Sequence, residues 1–270
     1  MLLGAVLAFV ALPRVADAGP PMPAVLSVLP DDTSVVISID FKRARKSSAI
    51  AGAIEPGAGA RAEKAKEAMA AIGIDATRDV DRMVMASAGA GLSDRDKARL
   101  KILVAEGRFK IAVGAGAEAK THAGVTYWSV GDAGDKTEIA VAGKRVFVTA
   151  AGEMPGVIDV IKGKAKNAAK SKSAAAKTLR AAIAHAKAKT AAGWGALALS
   201  ASDKQKLKSN AGDVDWIALT GAVIAGGTLD VDVVFGTPSP ADAQATVDKI
   251  APKLETARAQ MKVAGLADMA

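Results

Sequence analysis

Two strand-length apolar runs, Thr137–Ala142 and Arg145–Thr149, are separated only by Gly143-Lys144. A parallel crossover needs about a dozen residues or more, so two residues can only join antiparallel neighbours, and Gly143 accepts the positive φ of such a turn. The sheet containing this pair is therefore antiparallel at least locally. Val35, Ile37 and Ile39 alternate with Val36, Ser38 and Asp40 and predict a strand with one fully apolar face. Further runs of strand length lie at 80–87, 100–106, 125–130, 193–200, 216–224 and 228–235, and the hydrophilic 93–99 stretch reads as a turn or short helix.

Helical spacing interleaves with these strands. Phe41 to Ile54 reads as a short helix whose start carries Lys42, Arg43, Arg45 and Lys46. Cations there oppose the helix dipole, so the cluster is either simply exposed or an anion site. Ala62, Ala65, Met69 and Ile72 form a stripe closed by Gly73, and Pro155 to Ile161 suits one short helix. Ala176, Leu179, Ile183 and Ala186 share one face of a helix predicted to pack on a sheet, and 204–207 suits a helical turn. The last helix has Ser239 as N-cap, Pro240 as first residue and Asp242 as capping partner, with Val247, Ile250, Leu254, Ala257 and Met261 as its buried face.

Half of the 270 residues are hydrophobic but only 3% are aromatic, so Ala, Val, Ile and Leu must fill the core, and disorder is excluded. The expected fold class is α+β, a mainly antiparallel sheet or sheets packed against amphipathic helices. Asp79-Val80-Asp81 and Asp213-Val214-Asp215 recur at the entries of two predicted strands. This echo suggests two similar strand–helix–strand–strand halves, although three residues match easily by chance. The expected division is 1–18 as export signal, 19–162 as N-terminal half, 163–175 as a Lys/Ala-rich linker and 176–270 as C-terminal half.

The export signal rests on the apolar run Leu2 to Leu12, too short to span a bilayer, followed by Ala16-Asp17-Ala18. Cleavage is expected after Ala18, giving a periplasmic or extracellular product that starts at Gly19. The pattern lacks the usual basic residue before the apolar run. The chain has no cysteine, which excludes disulfides and lipid attachment through a cysteine. No later apolar stretch reaches membrane-spanning length, so no transmembrane segment is expected after cleavage.

The net charge of +8 is local. Nine basic residues and no acid lie between Lys162 and Lys189, while the remaining charges nearly balance. Lys162, Lys164, Lys166, Lys170 and Lys172 are the candidate anion contacts, for an anionic envelope surface or an acidic protein. The alternative is a solvated linker. The segment has no aromatic residue to stack on bases, which argues against specific nucleic-acid binding.

Catalytic and cofactor signatures fail on their minimum ingredients, and no catalytic, cofactor-binding or metal residue is assigned. His122 and His185 have no second histidine at helical metal spacing, and no serine occupies a Gly-x-Ser-x-Gly elbow. Gly114-Ala115-Gly116-Ala117 lacks the third glycine of a dinucleotide loop, and Gly143-Lys144 and Gly163-Lys164 lack the flanking residues of a nucleotide loop. The pairs Asp79/Asp81, Asp213/Asp215 and Asp230/Asp232 lack the glycine turn and downstream glutamate of a calcium loop. Trp128, Trp194 and Trp216 read as core anchors.

Leu29-Pro30-Asp31-Asp32-Thr33, Gly73-Ile74-Asp75 with Arg78-Asp79-Val80-Asp81, and Glu106-Gly107-Arg108-Phe109 resemble segments of uncharacterised exported proteins of deltaproteobacteria, of the myxobacterial type, over roughly residues 25–160. That resemblance implies an envelope location and an α+β fold, and brings no activity. The expected function is that of an exported, non-catalytic envelope protein contacting an anionic surface or partner protein through its Lys-rich segment. The alternative is a hydrolase or small-ligand carrier with a pocket between the two halves.

Overall fold

The computed structural model describes residues 24–44, 60–76, 78–88, 100–114, 116–132, 136–186, 191–223 and 229–263. The export signal at 1–18, the 93–99 stretch and most of the helix expected over 41–54 lie outside these residues. Ten strands form one sheet in the order β10-β9-β8-β1-β2-β3-β7-β6-β5-β4, and every neighbouring pair is antiparallel. They are β1 (Thr33–Asp40), β2 (Val80–Ala88), β3 (Leu100–Gly107), β4 (Glu118–His122), β5 (Val125–Val130), β6 (Thr137–Ala142), β7 (Arg145–Ala150), β8 (Gly193–Ala198), β9 (Trp216–Val223) and β10 (Leu229–Gly236). The helices are a 3-10 turn (Ala24–Val28), α1 (Phe41–Ala44), α2 (Ala60–Ala71), α3 (Met154–Ile161), α4 (Ala174–His185), α5 (Ala201–Ala211) and α6 (Pro240–Val263). The α+β class with a mainly antiparallel sheet is thus the observed architecture.

The local signals act as the sequence implies. Gly143 takes φ +62° between β6 and β7. Gly73, at φ +80°, ends α2 in a Schellman motif: its N–H donates to the Ala70 carbonyl, and the Ile74 N–H donates to that of Met69. The Ser173 hydroxyl caps α4, and Ser239 caps α6 by accepting from the Asp242 N–H. One helix is longer than expected. The turn anticipated at 204–207 is the full α5, because Ser200 and Asp203 form a reciprocal capping box. One strand went unread: β4 is a polar edge strand, half out of the core, and carries no apolar alternation.

The helices divide over the two faces. On one, the 3-10 turn, α3 and α4 bury Leu26, Leu29, Val36, Ile102, Phe147, Ile158 and Leu179 in a single cluster. The stripe predicted for α4 is buried as expected. Ala182 and Ala186 share a cluster with Ala196, Ala198 and Ala218 of the sheet, and such small side chains let helix and sheet approach closely. On the other face, α2 covers Leu103, Ile139 and Val148 with Met69 and Ile72. Farther along the same face, α5 and α6 cover Leu197, Ile217 and Phe235 with Leu207 and Ile250. Of the face predicted for α6, Val247 and Ile250 are half-buried, and the side chains of Leu254, Ala257 and Met261 lie outside the description.

The apolar face of β1 is not its buried one: Ser38 is 2% exposed and Ile37 43%. Val36 and Ser38 face the layer of α3 and α4, whereas Ile37 pairs across Gly195 with Leu219, also exposed, in the interval between α2 and α5. The segment 163–175 is not a loose linker. Ala168 and Ala169 donate backbone hydrogen bonds to Leu29 and Leu26, Asn167 bridges Pro30, and Arg180 donates to the Ala168 carbonyl at 2.7 Å. That segment does not divide the sheet either, because β8 pairs with β1.

The order β1–α2–β2–β3 recurs as β8–α5–β9–β10, and the two units meet at the β1–β8 pair in the middle of this six-strand run. Each unit ends its third strand on a glycine opposite the first residue of its second strand, Gly107 facing Val80 and Gly236 facing Trp216. The Asp-Val-Asp echo falls at both second-strand entries, displaced by two residues. Among the described residues no helix is long and apolar enough to cross a membrane.

Candidate functional site

The five lysines expected to contact anions lie on one loop between α3 and α4. Lys162 is the C-cap of α3, and the Lys164 and Ala165 N–H groups both donate to the Asp159 carbonyl. Beyond them the backbone is tied to the 3-10 turn through Asn167, Ala168 and Ala169. Lys162, Lys164, Lys166, Lys170 and Lys172 are all exposed, and none forms an ion pair among the described residues. Ala168 and Ser171 turn inward and are buried. The loop therefore presents its charges from an anchored backbone.

A second charged region has no counterpart in the sequence expectations beyond Lys42. On the sheet face covered by α3 and α4, the row outside the core reads Asp40, Arg82, Glu106, Arg145 across β1, β2, β3 and β7, each residue directly opposite the next. Signs alternate along it. Arg145 Nε donates to Glu106 Oε1 at 2.9 Å, while Arg82 lies 3.5 Å from Asp40 and 3.6 Å from Glu106. Beyond the row, Lys42, Arg108 and Lys144 line the same open cleft of about 650 Å³, together with Asp81. Arg43, from the basic cluster of the sequence, turns away to Asp40 and to the Ala191 carbonyl.

The histidines are placed by tertiary contacts. His122 is the last residue of β4, at the mouth of a turn in which Ala123 and Gly124 both have positive φ. Its Nε2 lies 2.9 Å from Asp159 Oδ1 of α3, a partner 37 positions away that local spacing could not reveal. The pair ties β4 to α3. His185 stacks on Trp216 with ring centroids 4.9 Å apart. Trp194 is buried, and Trp128 and Trp216 pack against the clusters as core anchors.

Three of the paired carboxylates, Asp79, Asp213 and Asp215, are engaged by neighbouring cations. Asp79 accepts from the Arg78 side chain and from the Asp75 N–H, which together hold its carboxyl below the usual carboxylate range. Asp213 pairs with Lys208, and Asp215 with Lys204. No group of three potential metal ligands occurs among the described residues. One buried carboxylate escaped the sequence reading altogether. Glu138 of β6 is 2% exposed and accepts from the Met154 N–H at the start of α3.

No family model and no curated protein matches the chain. Among solved structures it is similar to crystal form I of TP0453, at 10% identity and a TM-score of 0.41 over 76% of this chain and 75% of that one. Crystal form III of TP0453 gives 9% identity and a TM-score of 0.40 over 74% of each chain. Likeness at that level carries no argument about this chain.

Proposed function

We propose that this is an exported, non-catalytic envelope protein that contacts an anionic surface through the loop carrying Lys162, Lys164, Lys166, Lys170 and Lys172. The observation behind this reading is that all five lysines are exposed on an anchored loop containing no acid. A fixed backbone reduces the entropy lost when such a cluster meets a surface, and uncompensated charge releases counterions on contact. Export follows from the leader pattern at 1–18. The alternative of a pocket between halves draws no support from the charged cleft, whose lining runs from Asp40 to Arg145 within the first half and includes no histidine or serine.

The test is co-sedimentation with anionic vesicles at low salt, comparing wild type with a variant carrying Lys164→Gln, Lys166→Gln, Lys170→Gln and Lys172→Gln. Each lysine near an anionic bilayer contributes about 1 kcal/mol, so the four changes should weaken binding by up to about a thousandfold, and added salt should weaken the wild type as well. Folding should persist because the four side chains are exposed. Equal sedimentation of the two proteins would remove this reading.

A further inference from the structure

The geometry points to a separate binding site for the phosphate dianion of a phosphomonoester, in the cleft at the ends of β1, β2, β3 and β7. Its lining carries Lys42, Arg82, Arg108, Lys144 and Arg145 against Asp40, Asp81 and Glu106. Five cations against three anions leave an excess of two positive charges, which a monoanion would half neutralise and a phosphomonoester dianion would match.

The cations are also placed to be shared. Lys42, Arg108 and Lys144 form no ion pair among the described residues. Arg82 lies at 3.5 and 3.6 Å from its two carboxylates, beyond the roughly 2.7–2.9 Å of a charge-assisted hydrogen bond, and is 46% exposed. Its guanidinium therefore has donors to offer in a fork that suits phosphate oxygens. The carboxylates of Asp40 and Glu106 orient Arg82 between them, and Glu106 also holds Arg145.

The backbone fixes the remaining members. Gly107 donates to the Lys144 carbonyl, and the Arg108 N–H donates to that of Asp79. A Cβ at Gly107 would stand 2.0 Å from the Asp79 oxygen, so only glycine allows this approach of β3 to the entry of β2. No histidine or serine joins the lining, and the site binds without reacting. None of its residues belongs to the 162–172 loop, so the inference stands apart from the vesicle-contact reading.

Calorimetric titration of the whole protein with glycerol 3-phosphate, at matched ionic strength with chloride as control, tests this directly. A parallel arm uses neutral vesicles doped with phosphatidic acid, which presents the same group on a lipid. Saturable glycerol 3-phosphate binding is expected, weakened by about tenfold or more in an Arg108→Gln/Lys144→Gln variant and unchanged in the four-Gln loop variant, and the double variant should weaken binding to the doped vesicles as well. Arg108 and Lys144 are exposed, and unchanged circular dichroism would show that the double variant folds. Arg82→Gln gives an independent second variant with the same expected loss. Absence of binding in both arms, glycerol 3-phosphate binding that survives these substitutions, or glycerol 3-phosphate binding lost only in the loop variant would overturn the assignment.

Discussion

Glu138 offers the sharpest test of how the two layers are joined. The helix α3 begins at Met154 after Glu153, whose side chain makes no capping bond, and with Pro155 in its first turn. The missing cap is supplied from the sheet. Glu138 Oε2 accepts from the Met154 N–H at 3.1 Å, and Oε1 lies 3.6 Å from Lys120 Nζ. A hydrogen bond to an ionised acceptor is worth about 1.5–3 kcal/mol, and a carboxylate at a helix N-terminus adds about 0.3–1 kcal/mol. The pair with half-exposed Lys120 contributes less than about 1 kcal/mol after screening. Glu138→Ala should therefore cost about 2–4 kcal/mol, which for a chain of this size lowers Tm by roughly 5–15 °C. Glu138→Gln keeps an oxygen acceptor for Met154 and should cost only about 1–2 kcal/mol. Lys120→Ala alone should cost under about 1 kcal/mol. Urea unfolding of the three variants measures these values. An alanine variant within about 0.5 kcal/mol of wild type, or a lysine variant as damaging as the alanine one, would refute the capping argument.

Three further outcomes follow from close contacts and titration. Gly236→Ala would put a Cβ 1.8 Å from Trp216 Cε2, so the indole must leave its stack on His185. A loss of about 2–3 kcal/mol with altered tryptophan fluorescence is expected. Gly195→Ala meets Leu219 at an ordinary 3.6 Å and should change stability by less than about 1 kcal/mol, which unfolding of both variants would check. Hydrogen bonds from Arg78 and the Asp75 N–H lower the carboxyl pKa of Asp79 in the folded state. Its stabilising contribution is thus complete above the usual carboxylate range near 4 and disappears as pH falls through the lower folded value. Glu118, lowered by its hydrogen bond from Lys136, acts in the same direction. Asp79→Asn should flatten the acid limb of a stability–pH profile, and an unchanged limb would count against the assigned contacts.

Much of the secondary structure was legible because its causes are local. The Gly143 turn, the Gly73 cap, the Ser239 cap and the α4 stripe each depend on residues within a few positions of one another. The same locality explains the misses. β4 is an edge strand stabilised by its pairing with β5, so no apolar alternation marked it. α5 was shortened to a turn because its composition is polar, although Ser200 and Asp203 stood at capping-box spacing.

The sequence by itself determined most of the strands and helices, that the hairpin neighbours run antiparallel, and that charge is concentrated from residue 162 on. Only the tertiary structure decided that β8 pairs with β1 to merge both units into one sheet, that 163–175 is anchored rather than loose, and that Ser38 is buried while Ile37 is not. It also assembled Asp40, Arg82, Glu106 and Arg145 from four strands into one row, and joined His122 to Asp159. Turn and cap geometries are set by short-range sterics and hydrogen bonds that a few residues encode. Strand order, and the choice of which face is covered, depend on the balance of burial over the whole chain, and no local window contains it.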